Sequence, residues 1–547
     1  MWASAAPAAL VATRFLRPRE SCCRCCADSS SASNSIHAAS RKKVVVVGAG
    51  WAGLASAHHL CKQGFEVTLL ESGNSPAEEI GVKGFWRPYR NLFSAIDELG
   101  LQPFTKWTSS ALYSQEGMEV KFPIFKDLTQ LPTPLGALLY PEFVNLPLVD
   151  RLASVPLISA VIDFDNTDTA WRKYDKMTSR ELFKQYGCSE SLFQKVFEPM
   201  LHVGLFAPAE QCSAAATLAM LYYYILSHQQ NFDAVWCRGT IQEKIFLPWL
   251  ESMRLEGLKF CENKSVTEFI VDEDTGCVSG LVCGEEIYKA DAIILAVGIS
   301  TLQSTIRSSS VLQSRQEFLG VLNLATVDVV SVKLWFDRKV KIPNAANICS
   351  GFDDLISWTL LDLNSIYDEY QDEQATVLEV EIYCATQLLA LKDEQIVAKV
   401  VAYLSDCIKD FKEAIVVQQN IVKHAKSATH FFPGWKFWIV GKNLNKCTAR
   451  SDIYAGSYKH MMRSSTTFPN LFVAGDWILN RHGSWSKEKA YVTGLEVANR
   501  VVDYLGEGEF AKIIAVEEDE AHFDALRSLN RRFVEIRSQL PVFEYFL

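Results

Sequence analysis

RKKVVVVGAGWAGLASAHHLCKQGFEVTLLES (residues 41–72) sets a strand, a glycine turn, a helix and a second strand in direct succession. Val44–Val47 is a continuous β-branched run, the pattern of a strand buried on both faces. Gly48, Gly50 and Gly53 follow as G-x-G-x-x-G. The first permits a tight turn, the second lets the backbone approach a pyrophosphate, and the third lets helix pack on strand. Leu54–Gln63 reads as the helix whose N-terminal amides face phosphates, and Phe65–Leu70 as the returning strand. Glu71 ends that strand, where a carboxylate accepts hydrogen bonds from ribose hydroxyls and favours an unphosphorylated ribose. A lone G-x-G-x-x-G is weak evidence; here both strands, the helix and the acid accompany it. Gly48, Ala49, Gly50, Gly53, Leu54 and Glu71 are the expected dinucleotide contacts.

The far end of the chain selects the dinucleotide. FPNLFVAGDWILNRHGSWSKEKAYVTGLEVANRVVDYL (residues 468–505) reads as a short strand, Leu471–Ala474, a Gly475-Asp476 turn and a helix from about Ser486. A nicotinamide module closes locally and needs no such return. A two-dinucleotide fold holding FAD does, with Asp476 on the ribityl chain and the helix N-terminus toward the flavin ring. Between the ends, KADAIILAVGI (Lys289–Ile299) is another buried-strand pattern, and residues 257–288 alternate like a meander with an Asp-Thr-Gly turn. The backbone near Val266 is expected to face the adenine. The fold class is therefore α/β: a discontinuous, Rossmann-like FAD domain (41–103, 231–299, 463–505) with an α+β substrate domain (104–230, 300–462) and a helical tail (506–547).

Composition bounds the rest. Apolar residues are 49% and charged residues 22% of the 547, ordinary for a large core. The net charge of −10 argues against nucleic acid as a partner. Residues 1–40 carry Arg14, Arg17, Arg19 and Arg24 among Ala and Ser, with only Glu20 and Asp28 as acids. That is the composition of an organellar transit peptide, the alternative being a disordered cytosolic tail. Cys22, Cys23, Cys25 and Cys26 form overlapping C-x-x-C pairs there, with no second ligand pair at zinc spacing, so no metal is expected. The remaining cysteines read as buried thiols. Ser213–Ser227 is too short to span a bilayer and reads as a buried or interfacial helix. Leu131–Phe164 is apolar but broken by Pro132, Pro134, Pro141, Pro147 and Pro156. It reads either as a membrane-surface segment or as the wall of a substrate cavity.

Beyond the fingerprint, VVSVKLWFDRKV (Val329–Val340), GFWRPYRNLFSAIDELGL (Gly84–Leu101) and VFEPMLHVGLFAPAEQCSAAA (Val196–Ala216) resemble the carotenoid (phytoene) desaturase branch of the FAD-dependent amine oxidase superfamily. The resemblance runs from Lys43 to about Leu505 and implies a plastid oxidoreductase, hydride transfer from an apolar polyene to flavin N5, a quinone acceptor and peripheral membrane contact. Three departures stand out. The family's Gly-Gly-Arg/Lys segment after the ribose acid is replaced by SGNSPAEEIGVKGFW. Lys489 stands where S-x-E-x-A-x-x-x-G (Ser486–Gly494) has a glycine in the family, and either alters flavin polarity or points outward. HFFPG (430–434), which the family pattern joins directly to SYK (457–459), runs instead into Trp435–Gly456. That segment reads as an insertion, through a translated intron or a displaced exon boundary.

A desaturase needs orientation and a dry pocket more than acid–base side chains, and no hydrolytic triad or paired-carboxylate motif stands out. Lys333 and His482 are the catalytic candidates. Lys333 reads as the lysine that amine oxidases set against the flavin, or as a solvent-facing strand lysine beside Trp335. His482, with Arg481 and Trp485, follows the Gly-Asp turn and faces either the ring or solvent. Trp86, Arg87 and Tyr89 line the substrate domain or pack in core. The competing functions are an oxygen-using amine or porphyrinogen oxidase and a non-catalytic flavin-binding scaffold. In the tail, Phe523, Leu526, Leu529, Phe533 and Ile536 recur at helical spacing, the pattern of a face that docks on the body or a partner.

Overall fold

Strand Lys43–Val47 lies at the centre of a five-stranded parallel sheet, with residues 44–47 buried on both faces. The order is Leu471–Val473, Ala292–Leu295, Lys43–Val47, Glu66–Leu70, Lys259–Cys261. Register places Val44 beside Ala292 on one side and Val67 on the other. Each fully buried valine contributes roughly 1.5–3 kcal/mol over exposure, so the strand is held by its own side chains. Three separate stretches of chain build this one sheet. A meander of Glu268–Val271, Val278–Cys283 and Glu286–Lys289 flanks it, turning at Asp274–Gly276 where Gly276 takes φ +69°. The computed structural model describes residues 41–76, 81–353, 356–437, 452–454 and 456–539. Residues 1–40, read as a transit peptide, lie outside them with Cys22, Cys23, Cys25 and Cys26. Arg41–Leu547 clusters as one compact unit.

The helix after the fingerprint runs Trp51–Lys62, starting earlier than the expected Leu54. The glycine turn itself winds into the first helical turn, with Leu54 N donating to Gly50 O at 2.9 Å. Across from it lies Lys487–Leu505, and Lys289 belongs to the meander rather than to the buried strand Ala292–Leu295.

The second sheet has eight strands in the order Val416–His430, Ala325–Phe336, Val377–Tyr383, Ile356–Asp362, Ala346–Asp353, Ser110–Ser114, Gly117–Phe122, Glu142–Phe143. One face, with Val330, Val332, Leu334, Val380 and Ile382, packs under helix Asp393–Cys407. The alternate residues, Ser331, Lys333, Glu379, Glu381 and Tyr383, occupy the opposite face.

In Leu131–Phe164 the prolines act as helix starters. Pro134, Pro147 and Pro156 precede helices Leu135–Leu139, Leu148–Leu152 and Leu157–Asp163. Ser213–Ser227 folds as a largely buried helix, Ala214–Leu221, continued by a wider π-type turn. Of the proposed insertion, Trp435–Phe437 pairs antiparallel with Asp452–Tyr454, and residues 438–451 lie outside the described residues. The tail departs from expectation. Residues 507–520 cross the surface without regular structure before helix Ala521–Gln539. Phe523 is buried, yet Leu526, Leu529 and Ile536 are exposed, and the Phe533 side chain lies outside the description. The docking face instead takes Arg527, whose guanidinium pairs with Asp519 at 2.8 Å and lies over the Tyr222 ring.

Candidate active site

At the fingerprint end, Gly48 takes φ +100°, and a Cβ there would lie 2.5 Å from the Ala296 carbonyl oxygen. A Cβ on Gly53 would lie 1.8 Å from the Gly48 oxygen, so strand and helix meet through bare backbone. Gly50 differs: nothing lies within 4 Å of where its Cβ would stand. The turn therefore presents open space at the N-terminus of Trp51–Lys62, whose first turn carries no acid. Ala49 N donates to Glu71 Oε2 at 2.8 Å, and Gly73 N to Oε1 at 3.0 Å. Leu54 is fully buried behind the turn. Lys264 N donates to the Glu71 carbonyl at 2.7 Å, which brings the loop carrying Val266 beside the acid.

At the other end, Gly475 takes φ +151°, and its amide donates to Thr493 Oγ1 at 3.0 Å, tying the turn to the following helix. Asp476 Oδ1 accepts from Thr429 Oγ1 at 3.2 Å. Ser486 caps the helix through the Lys489 amide at 2.8 Å. Lys489 points inward: it is buried, and its ammonium donates to Ser484 O at 2.8 Å. Burial pulls its pKa down to about 8 against the opposing charges of Asp476 and Glu496. Beside it, Glu488 accepts from Asn91 N (2.8 Å), Asn91 Nδ2 (2.7 Å) and Leu92 N (2.9 Å). Burial pushes its carboxyl up to about 7.

His482 is buried rather than solvent-facing. Its amide and Nδ1 both lie 2.7 Å from Asn480 Oδ1, and Nε2 lies 3.3 Å from Ile514 O on the tail. Burial draws its pKa down to about 4, so the ring is neutral near pH 7 and fixes the loop to the tail. Arg481 is exposed, while Trp485 is half-buried and donates to Gly204 O.

The residues between these ends fit FAD. An open glycine turn at a helix N-terminus suits the pyrophosphate, Glu71 the ribose, and the Gly475-Asp476 turn with its capped helix the flavin side. From Gly81 onward, the segment that replaces Gly-Gly-Arg lies against the eight-stranded sheet. A Cβ on Gly81 would sit 1.8 Å from Glu381 Oε1 and 2.7 Å from Glu379 Oε1.

That polar face was not singled out from sequence. Lys333 lies on it, half-buried, 3.8 Å from Glu379 and over the rings of Tyr367 and Tyr370. Ser331 Oγ donates to Glu379 Oε1 at 3.1 Å. Burial, and next the charge of Glu381, hold the Glu379 carboxyl above the usual carboxylate range, with Lys333 opposing. The available signal was VLEVEIY (377–383), where acids alternate inside an otherwise apolar strand. Trp86 and Tyr89 sit in an aromatic cluster with Tyr224 and Trp236, Tyr89 and Tyr224 sharing a hydroxyl contact of 2.8 Å.

A separate apolar cavity of about 100 Å³, opening to solvent, is lined by Phe122, Phe143, Leu157, Met200, Leu221 and Phe232 among others. Helix Glu198–Leu205 links it to the loop after Gly475-Asp476, with Met200 in the cavity wall and the Gly204 carbonyl accepting from Trp485. Four residues of helix separate them, about 6 Å.

The comparisons agree with this geometry. The profile of the flavin containing amine oxidoreductase family matches residues 79–502, and a NAD(P)-binding Rossmann-like domain matches residues 46–99. The chain is 23% identical over 502 residues to the zeta-carotene desaturase of Synechocystis sp., covering 84% of this chain and 97% of that protein. It is 24% identical over 426 residues to the 15-cis-phytoene desaturase, chloroplastic/chromoplastic, of Narcissus pseudonarcissus, covering 72% and 71%. Among solved structures, cyclohexylamine oxidase of Brevibacterium oxydans superposes with TM-score 0.60 at 14% identity, covering 85% of this chain and 100% of that one. Putrescine oxidase bound to putrescine gives TM-score 0.58 at 15% identity, covering 85% and 99%. These structural likenesses show the fold alone. With more than half its length matched by one family profile, the chain belongs to the flavin containing amine oxidoreductase family and is an FAD-dependent oxidoreductase.

Proposed function

We propose that this enzyme dehydrogenates an apolar, carotenoid-like polyene. The observation that carries the reading is the apolar cavity, joined through helix Glu198–Leu205 to the loop beside the flavin site. FAD, when bound, supplies a ring that accepts a hydride from carbon. The protein's part is to orient and to keep dry. Phe122, Phe143 and Met200 wall the cavity, while neutral His482 and buried Lys489 fix the loop and helix cap at the flavin end. Lys333 balances the charge of Glu379 on the polar face.

The rim of the cavity supports membrane contact. Leu135, Leu139, Val144, Leu148, Val149, Leu152 and Val155 are exposed in and beside the short helices of this stretch, while Pro134, Leu138 and Ser154 of the same stretch line the cavity wall. Among the described residues no helix is long and apolar enough to cross a membrane. Peripheral docking on a lipid surface lets a polyene pass from bilayer to cavity without entering water. A plastid location, supported by the composition of residues 1–40 and by the chloroplastic relatives, completes the reading, and the resemblance to the desaturases implies a quinone acceptor.

Anaerobic mixing of the flavin-loaded protein with a solubilised polyene, an amine or a porphyrinogen tests the proposal. Flavin bleaching by the polyene alone is expected. Bleaching by an amine, with hydrogen peroxide released in air and lost in Lys333→Met, supports the oxidase alternative instead. No bleaching with any of them supports a flavin-binding scaffold.

A further inference from the structure

The wall of the apolar cavity is aliphatic and aromatic except for Arg151, Ser154 and Gln229, and none of its lining residues is acidic. Ser154 and Gln229 are already engaged. Ser154 Oγ donates to Arg151 O at 2.7 Å, while Gln229 accepts from Leu131 N at 2.9 Å and donates to Thr129 O at 3.1 Å. The Arg151 guanidinium is not. Its Nε is buried with no hydrogen-bond partner, and among the described residues no carboxylate or carbonyl takes any of its nitrogens. Its carbon lies over the Phe143 ring at 4.8 Å, and Phe143 lines the same wall. Contact with a ring still leaves the N–H donors without acceptors.

The local fold keeps the cation in place. Pro147 starts helix Leu148–Leu152, which turns Leu148, Val149 and Leu152 outward and leaves Arg151 half-buried between the rim and the cavity. The Ser154 hydroxyl ties down the Arg151 carbonyl, so a side chain of the same wall fixes the end of this helix. A guanidinium set in an apolar wall is costly until an acceptor meets it, and its planar fork matches a carboxylate through parallel N–H donors.

We propose that Arg151 binds the carboxylate end of an otherwise apolar, conjugated chain, and so selects a polyene acid over a plain hydrocarbon. The inference rests on the reading of this cavity as the substrate's, and narrows the substrate class within it. An anion supplies the guanidinium with both opposite charge and hydrogen-bond acceptors, whereas a hydrocarbon supplies neither. With the carboxylate on Arg151, the adjoining chain lies against Phe143, Leu157 and Met200, the last on the helix whose Gly204 carbonyl meets Trp485.

Retinoate and its methyl ester share one polyene chain and differ in the charge at its end. Titrating each into the flavin-loaded full chain at about pH 8, where the acid is ionised, and following tryptophan quenching gives the two affinities. Wild type is expected to bind retinoate about tenfold or more tighter than the ester. Arg151→Gln is expected to lose that preference while ester affinity, flavin content and Tm stay at wild-type values, and Arg151→Lys to recover part of it. Equal affinities of wild type for acid and ester, or an Arg151→Gln protein that keeps the preference, overturn the inference alone. Where Arg151→Gln fails to fold, the acid–ester comparison in wild type decides by itself.

Co-sedimentation with phosphatidylglycerol and phosphatidylcholine vesicles separates the other anion at the rim, a lipid phosphate. Arg151→Gln is expected to sediment with both as wild type does. A loss confined to phosphatidylglycerol, with no acid preference in wild type, assigns the guanidinium to headgroups and overturns the inference. A wild type that binds neither retinoid overturns the reading of the cavity as the substrate's, and this inference with it.

Discussion

Gly494 packs so closely on Ala52 that a Cβ would lie 2.3 Å from the Ala52 carbonyl oxygen. The two residues belong to helices from opposite ends of the chain, Trp51–Lys62 and Lys487–Leu505, and each helix leads out of a turn assigned to FAD. The spacing of the cofactor's two ends therefore depends on a contact that admits no side chain. Gly494→Val is expected to destabilise the fold by about 1–3 kcal/mol, the range for overpacking, and to lower flavin retention together with Tm. Urea unfolding and flavin content measure both; unchanged values of each would show that the helices separate freely.

Gly434 and Gly456 bracket the proposed insertion and converge. A Cβ on Gly456 would lie 2.8 Å from Gly434 N, while Ser457 N donates to Phe432 O at 3.0 Å and Gly434 N to Asp175 O at 2.6 Å. The chain leaves and re-enters the body at one point. Deleting residues 435–456 is expected to shift Tm by less than about 3 °C and to preserve flavin binding. A deletion protein that fails to fold would make the segment part of the structure, and a mature transcript that always encodes it would end the insertion reading.

How much of this was legible in the sequence follows from how local each signal is. Gly48, Gly50, Gly53 and Glu71 could be read because turn, helix start and strand end are set by residues within one short stretch. Gly475-Asp476 needed pairing with that distant fingerprint before it carried weight. The inward turn of Lys489 could not be read, since a helix position is oriented by the helices packed around it. Glu379 and Glu381 look like the solvent side of a half-exposed strand; only the chain around Gly81, distant in sequence, buries them. The tail shows the same limit. Leu526, Leu529 and Ile536 have the spacing of a buried face, but the contact is made one step round the helix by Phe523 and Arg527.

The part of the stability carried by the buried histidines is expected to fall as pH drops from about 6.5 toward about 4. His58, His202, His430 and His482 are each drawn by burial to about 4. The unfolded chain binds protons at these residues from 6.5 downward while the folded chain does not, so their stabilisation is complete above that window and lost through it. Glu488 and Asp175, raised to about 7 by burial, act in the opposite sense, the folded state keeping protons that the unfolded state releases near 4–4.5. His59 and His460 are lowered too, and burial also raises Asp233, Asp362, Glu379 and Glu496, so the histidine share is read from a histidine variant and not from the net slope. Between about pH 4.5 and 7.5 the urea midpoint is expected to depend on pH differently in His482→Gln, its slope shifted toward a fall with rising pH relative to wild type. Identical slopes in the two proteins would contradict the burial of this imidazole.

The exposed rim around the apolar cavity gives a direct test of lipid contact. Leu148→Asp combined with Val149→Asp replaces two exposed apolar side chains with charges and is expected to reduce co-sedimentation with vesicles about tenfold, leaving Tm nearly unchanged. Equal sedimentation of variant and wild type would remove the rim from the account.

The central claim is that the glycine turn at residue 50 holds FAD. Gly50→Val tests it most directly, because the space beside Gly50 is empty of protein and its φ of −89° suits any residue. The variant should therefore fold as the wild type does while blocking the pyrophosphate. The measurement is the visible absorption spectrum of both purified proteins, with Tm recorded alongside. The account predicts a yellow wild type with oxidised-flavin bands and a colourless, folded Gly50→Val protein. A colourless wild type, or a Gly50→Val protein that retains a full complement of flavin, would contradict it.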